Sequence, residues 1–119
     1  MAAQNYLGGC QCGAVRYEAK GVDLDQTIAC NCSRCGRLGT ILGFIPEDQF
    51  VLRSGEDSLT EYRFNKHVIQ HLFCKVCGVQ SFARGQKPDG SRMIAVNTRC
   101  LDGINVHDLK PRPFDGRGM

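Results

Sequence analysis

The sequence predicts an all-β protein, on three observations. Apolar and polar residues alternate over short runs, most cleanly at residues 14–19 and 59–64. Turn-forming Gly, Pro, Asn and Asp recur about every 8–12 residues. Almost nothing reads as helix beyond a single turn.

Taken in order, residues 6–13 form a glycine-flanked turn carrying Cys10 and Cys12. Residues 14–19 alternate as a strand half exposed to water, and 21–26 turn the chain. Residues 27–30 are a short strand that enters a cysteine-rich loop. Residues 37–43 fit a turn or the start of a strand. Residues 42–45 read as a strand stopped by Pro46. Residues 46–50 suit one helical turn, with Pro at its start and acids in its first turn. A strand resumes at 50–52, turns at 54–57, and is followed by the alternating strand 59–64. Residues 68–74 alternate less strictly and run into the pair Cys74/Cys77. Residues 80–83 and 93–97 are further strands, the second of a buried type, with a Pro-Asp-Gly-Ser turn at 88–91 between them. From Lys110 onward, Pro111, Pro113, Gly116 and Gly118 read as loop. The cysteine pairs are the sole repeat, and no linker interrupts the chain.

At 119 residues the chain is expected to be one domain over 1–119. With 14 glycines and no tryptophan, it gains limited stability from burial, so an internal cross-link is expected. A net charge of +3, with acids and bases interspersed, argues against a nucleic-acid partner. No apolar run approaches the roughly 18 residues of a membrane span. The start has neither the basic nor the apolar region of a signal peptide, so a cytoplasmic location is expected. Cysteines stay reduced there, and eight of them read as metal ligands before they read as disulfides.

Cys30-Asn31-Cys32-Ser33-Arg34-Cys35 packs three sulfurs into six residues. That is one ligand fewer than a closed tetrahedral zinc site requires. Cys74-Lys75-Val76-Cys77-Gly78 has the spacing of a zinc knuckle, whose following glycine permits a tight turn. Cys10-Gln11-Cys12-Gly13 is its natural partner, leaving Cys30, Cys32 and Cys35 as a separate, open set. Spacing alone also allows Cys100, or one knuckle cysteine, to close the second set.

Gly9-Cys10-Gln11-Cys12-Gly13, Cys30-Asn31-Cys32-Ser33-Arg34-Cys35 and Phe73-Cys74-Lys75-Val76-Cys77-Gly78 resemble the glutathione-dependent formaldehyde-activating enzyme family, also described with centromere protein V. Phe82, Val96-Asn97-Thr98-Arg99 and Phe114-Asp115-Gly116 extend the likeness over nearly the whole chain. The resemblance implies a β-tent fold of the Mss4-like type and two zinc ions per chain. A structural zinc would sit on Cys10, Cys12, Cys74 and Cys77, and a catalytic one on Cys30, Cys32 and Cys35. It also implies a carbon–sulfur lyase that joins glutathione, or a related thiol, to formaldehyde or another small aldehyde as a reversible adduct.

Arg34 and Arg37 bracket Cys35. Either could recognise the carboxylates of such a thiol, or offset the charge of a metal–thiolate centre. His71 could move protons near neutral pH but fits a surface strand face better; His67 and His107 are weaker candidates. Asn97 could orient a substrate or satisfy backbone groups. Cys100 follows Arg99, a neighbour that favours a thiolate. Methionine-R-sulfoxide reductases share this general β architecture and carry a reactive cysteine on a late strand. The alternatives to the lyase reading are therefore a non-catalytic zinc-binding interaction module and a thiol-redox enzyme using Cys100.

Overall fold

Among residues 3–64 and 68–117, which the computed structural model describes, ten strands form two sheets. The strands are β1 (Gln4–Gly9), β2 (Arg16–Val22), β3 (Ile28–Cys30), β4 (Leu42–Pro46), β5 (Phe50–Ser54), β6 (Leu59–Tyr62), β7 (Gln70–Cys74), β8 (Phe82–Gln86), β9 (Arg92–Asn97) and β10 (Arg112–Phe114). One helical turn, α1 (Cys35–Leu38), follows β3. The smaller sheet runs β1-β2-β5 and the larger β10-β3-β4-β9-β8-β7-β6. The pairings are antiparallel except that of β10 with β3. This is the all-β, tent-like arrangement expected from the sequence.

The core lies between the sheets. In β2, Tyr17, Ala19 and Val22 turn inward, while Arg16, Glu18 and Lys20 keep contact with water. Facing them are Ile45 of β4, Ile94 and Val96 of β9, and Phe82 of β8. The Tyr17 and Phe82 rings lie 4.9 and 4.6 Å from that of Phe50, and the Tyr17 hydroxyl donates to the Ser81 carbonyl at 3.0 Å. A buried tyrosine is thus packed and hydrogen-bonded at once.

Three expectations are corrected. Residues 4–9 are a strand, not a turn. Gly8 and Gly9 sit in β1 because other chain segments come too close for a side chain: a β-carbon on Gly8 would meet the Cys100 carbonyl at 2.9 Å, and one on Gly9 would overlap the Val15 carbonyl. Residues 35–38 form a helical turn, closed by Gly39 in the left-handed region (φ +73°). Residues 112–114 are a strand, not loop, pairing in parallel with β3 through Arg112–Ile28, Pro113–Ala29 and Phe114–Cys30. Proline is tolerated because β10 is the sheet edge, where its missing N–H leaves no ladder partner wanting. Among the described residues, no helix is long and apolar enough to cross a membrane.

Candidate functional site

Strand ends and turns bring seven of the eight cysteines into two clusters. In the first, the turn after β1 supplies Cys10 and Cys12, and the end of β7 supplies Cys74 with Cys77 just beyond it. Their sulfurs all lie within 4.8 Å of one another, with Cys10–Cys12 at 3.6 Å and Cys12–Cys74 at 3.7 Å. A tetrahedron with metal–sulfur bonds of about 2.3 Å has edges of about 3.8 Å, so the set has the size of a metal–thiolate centre. The turns are built for it. Gly13 and Gly78 adopt φ of +85° and +81°, and the N–H groups of Val15 and Val76 donate to Cys10 Sγ at 3.3 Å and Cys74 Sγ at 3.4 Å.

Electrostatics separates these thiols. Backbone N–H groups of Val79 and Cys12 bring Cys77 down to about 6. Cys12 is aided by the Ala14 N–H, yet desolvation and three neighbouring sulfurs push it up to about 11. Desolvation also acts against Cys10, but the Val15 N–H and the neighbouring Cys12 and Cys74 lower it. Four thiolates this close repel one another, and a cation held at the centre would let all four ionise.

The second cluster is Cys30 at the end of β3, Cys32 in the loop, and Cys35 opening α1, again with all sulfurs within 4.8 Å. No fourth His, Cys, Asp or Glu joins it among the described residues. Cys32 N–H donates to Cys30 Sγ at 3.4 Å, and Cys35 N–H to Cys32 Sγ at 3.3 Å. Burial pushes Cys35 up to about 12 and, with the neighbouring Cys32, raises Cys30. Burial opposes Cys32 too, but the N–H groups of Cys35 and Arg34 overcome it and lower that thiol. The chain end buttresses this set. Asn31 accepts from the Arg117 N–H (3.0 Å) and donates through its side chain to Asp115 (3.1 Å), while Gly116 packs against Cys30 and Cys32.

A cleft of about 500 Å³ opens beside the second cluster, lined by Cys32 with Asn31, Ser33, Arg37, Phe64 and Arg117 among others. Its charged lining residues are both arginines. Arg34 does not line it. Its Nε and Nη2 both donate to Gln80 Oε1 (2.9 and 2.7 Å), and its guanidinium lies 4.7 Å from the centre of the Tyr62 ring. Arg37 is anchored by a 2.9 Å bond from Nη1 to the Ser33 carbonyl.

The remaining candidates fall elsewhere. His71 is buried at 6% exposure, not on a surface face; its ring lies 5.0 Å from Phe64 and its Nδ1 has no hydrogen-bond partner among the described residues. Burial, with Arg34 nearby, brings it down to about 4. Asn97 uses its amide on backbone groups: Nδ2 donates to the Gln80 carbonyl (3.0 Å) and Oδ1 accepts from Arg99 N–H (3.3 Å). His107 is exposed, and His67 lies outside the described residues. Cys100 is in neither cluster, so it does not close the three-cysteine set; the thiols whose charge it feels are Cys10 and Cys77. Burial pushes it up to about 11 against the pull of Arg99. Sequence reasoning passed over Gln80, Phe64, Asn31 and Arg117. Gln80 and Phe64 carry no motif signal, and Arg117 follows the Phe-Asp-Gly motif without belonging to it.

The fold and its clusters define a class: small all-β proteins organised around two cysteine sets that could hold metal. The sequence profile of the "glutathione-dependent formaldehyde-activating enzyme" family matches residues 5–113, and the chain belongs to that family. Two curated fungal relatives carry that enzyme name provisionally. A Talaromyces marneffei protein is 35% identical over 83 residues, covering 66% of this chain and 44% of the relative. A Colletotrichum graminicola protein is 33% identical over 92 residues, covering 71% and 48%. The chain thus spans about half the length of the curated relatives it matches. A crystal structure of a Rhodobacter sphaeroides protein superposes with a TM-score of 0.80 at 30% identity, covering 90% of this chain and 97% of that one.

Proposed function

We propose that the protein is a zinc-dependent carbon–sulfur lyase acting in the cytoplasm, which adds a glutathione-type thiol to formaldehyde or a related small carbonyl. Cys10, Cys12, Cys74 and Cys77 would hold a structural zinc, and Cys30, Cys32 and Cys35 a second zinc with one position open. The observation that carries this reading is the three-sulfur set, short of a fourth ligand among the described residues, beside a cleft whose charged walls are Arg37 and Arg117. All-sulfur donors at this spacing suit zinc among the divalent metals a cell offers. Family membership supports the thiol and the aldehyde.

A zinc ion bound there supplies Lewis acidity that keeps an incoming thiol deprotonated. The chain's own residues bind and orient. Arg37 and Arg117 pair with the carboxylates of the thiol substrate, as guanidinium forks do. Phe64 forms an apolar wall that limits water at the reacting carbon. In the reaction the sulfur adds to the carbonyl carbon and the C=O π pair moves to oxygen. The proton that left the thiol ends on that oxygen, giving an S-hydroxymethyl adduct. The reverse reaction releases thiol and aldehyde.

The test is the exchange rate between free glutathione and its formaldehyde adduct, followed by NMR, with zinc content measured on the same sample. Protein carrying two zinc ions should accelerate exchange, and Cys32→Ser should abolish the acceleration while keeping one zinc. Two bound zinc ions without acceleration would sink the lyase reading in favour of a non-catalytic zinc-binding module.

A further inference from the structure

Arg34 sits inside the three-cysteine loop, yet its side chain reaches out of it. The guanidinium fork closes on one oxygen, Gln80 Oε1, at 2.9 and 2.7 Å, and Arg34 makes no ion pair among the described residues. Gln80 is 5% exposed and lies three residues beyond Cys77 of the other cluster. It is pinned in turn: its carbonyl accepts from Asn97 Nδ2, and the adjoining Val79 carbonyl accepts from the Cys74 N–H at 3.0 Å. On its other side the Arg34 guanidinium covers Tyr62, which stacks on Phe64 at 5.9 Å, and Phe64 is a wall of the cleft.

From this geometry we infer that Arg34 is a positioning residue: through Gln80 it ties the three-cysteine loop to the knuckle of the four-cysteine cluster, and through Tyr62 and Phe64 it sets one wall of the cleft. The inference rests on the proposal that the three-cysteine set holds metal. It differs from carboxylate recognition by Arg34, because Nε and Nη2 are both taken by Gln80 Oε1 and Arg34 is not among the residues lining the cleft. Groups that orient metal ligands typically change metal affinity 10–100-fold when removed, and Arg34 would do so by holding the loop that carries them.

The experiment titrates cobalt(II) into the metal-free 119-residue chain and follows sulfur-to-cobalt charge-transfer absorption, with no turnover needed. Wild type should fill two sites. Arg34→Lys keeps the charge but loses the fork, and Gln80→Met keeps the volume but loses the acceptor. Each should weaken the second site by about 10–100-fold, and the double variant should be no worse than either alone. The four-sulfur site should fill as in wild type, which reports that each variant is folded. If wild type fills two sites and both variants do so with unchanged affinity, the positioning role falls and the lyase proposal stands. If Arg34→Lys weakens the site and Gln80→Met does not, the tether is wrong. If wild type fills one site, both proposals fall.

Discussion

Gly116 lies so close to Cys30 that a β-carbon on it would overlap Cys30 Sγ, with Cys32 Cβ a further 3.3 Å contact. The sulfur can escape only by rotating about χ1, and that rotation takes it out of the cluster. Gly116→Ala should therefore act on metal retention more than on folding. On the proposed two-zinc protein we expect loss of one ion, with a stability cost of about 1–3 kcal/mol from the crowding. Zinc stoichiometry and a urea titration on the same preparation check this. A variant that keeps both ions would show that β10 and the segment after it yield instead.

How much of this was legible follows the range of the interactions. The knuckle at Cys74–Cys77 was readable because its spacing and its glycine are local, and the structure gives Gly78 a φ of +81°. The strand at β6 and the stop at Pro46 were local as well, although β6 runs only Leu59–Tyr62 and its burial does not alternate. The strand β1 was not, since Gly8 and Gly9 signal a turn unless one knows that Cys100 and Val15 press against them. Nor was β10, because Pro113 suits a strand only at an edge. The cleft joins residues 31–37, 64 and 116–117, which meet only through tertiary packing. His71 looked like a surface histidine because nothing nearby in sequence announces that Arg34 and Phe64 crowd its burial site.

Gly55 separates glycine's two uses. Its φ is +91°, and a β-carbon there would overlap the Ala14 carbonyl and lie 2.6 Å from Val15 Cα. Gly39 has φ +73° but open space around it. Gly39→Ala should cost about 1–2 kcal/mol for the left-handed conformation alone. Gly55→Ala should cost distinctly more, because backbone must move away from backbone. Denaturation midpoints of the two variants check the order; equal midpoints would mean that the turn at Gly55 relaxes freely.

Cys100 bears on the redox alternative. Its thiol is pushed up from an ordinary 9.0 to about 11, by burial first and then by the charges of Cys10 and Cys77. Near pH 8 that leaves roughly a hundredfold less thiolate than a free cysteine has, and thiolate is the nucleophile. In metal-loaded protein, iodoacetamide should label Cys100 well below the rate of free cysteine, because burial, the largest cause of its raised value, does not depend on metal. Cys100→Ala should leave zinc content and adduct exchange unchanged. Fast labelling, or loss of activity in the variant, would return Cys100 to the active machinery.

His71 should make stability depend on pH in a defined window. Its folded value is about 4 and its ordinary value 6.5, so the unfolded chain takes up the proton first as pH falls. Stability from this group is complete above about pH 6.5 and declines toward about pH 4, by at most about 3 kcal/mol. Protonation of the metal-binding thiols also destabilises the protein in acid, so the wild-type slope alone decides nothing. His71→Gln removes one of the two contributions. Its denaturation midpoint should fall less than that of wild type between about pH 7 and about pH 5. The variant starts lower at neutral pH for loss of packing against Phe64. Parallel slopes would mean that His71 finds a partner for its proton without unfolding, and that the unpaired Nδ1 is no penalty to the native state.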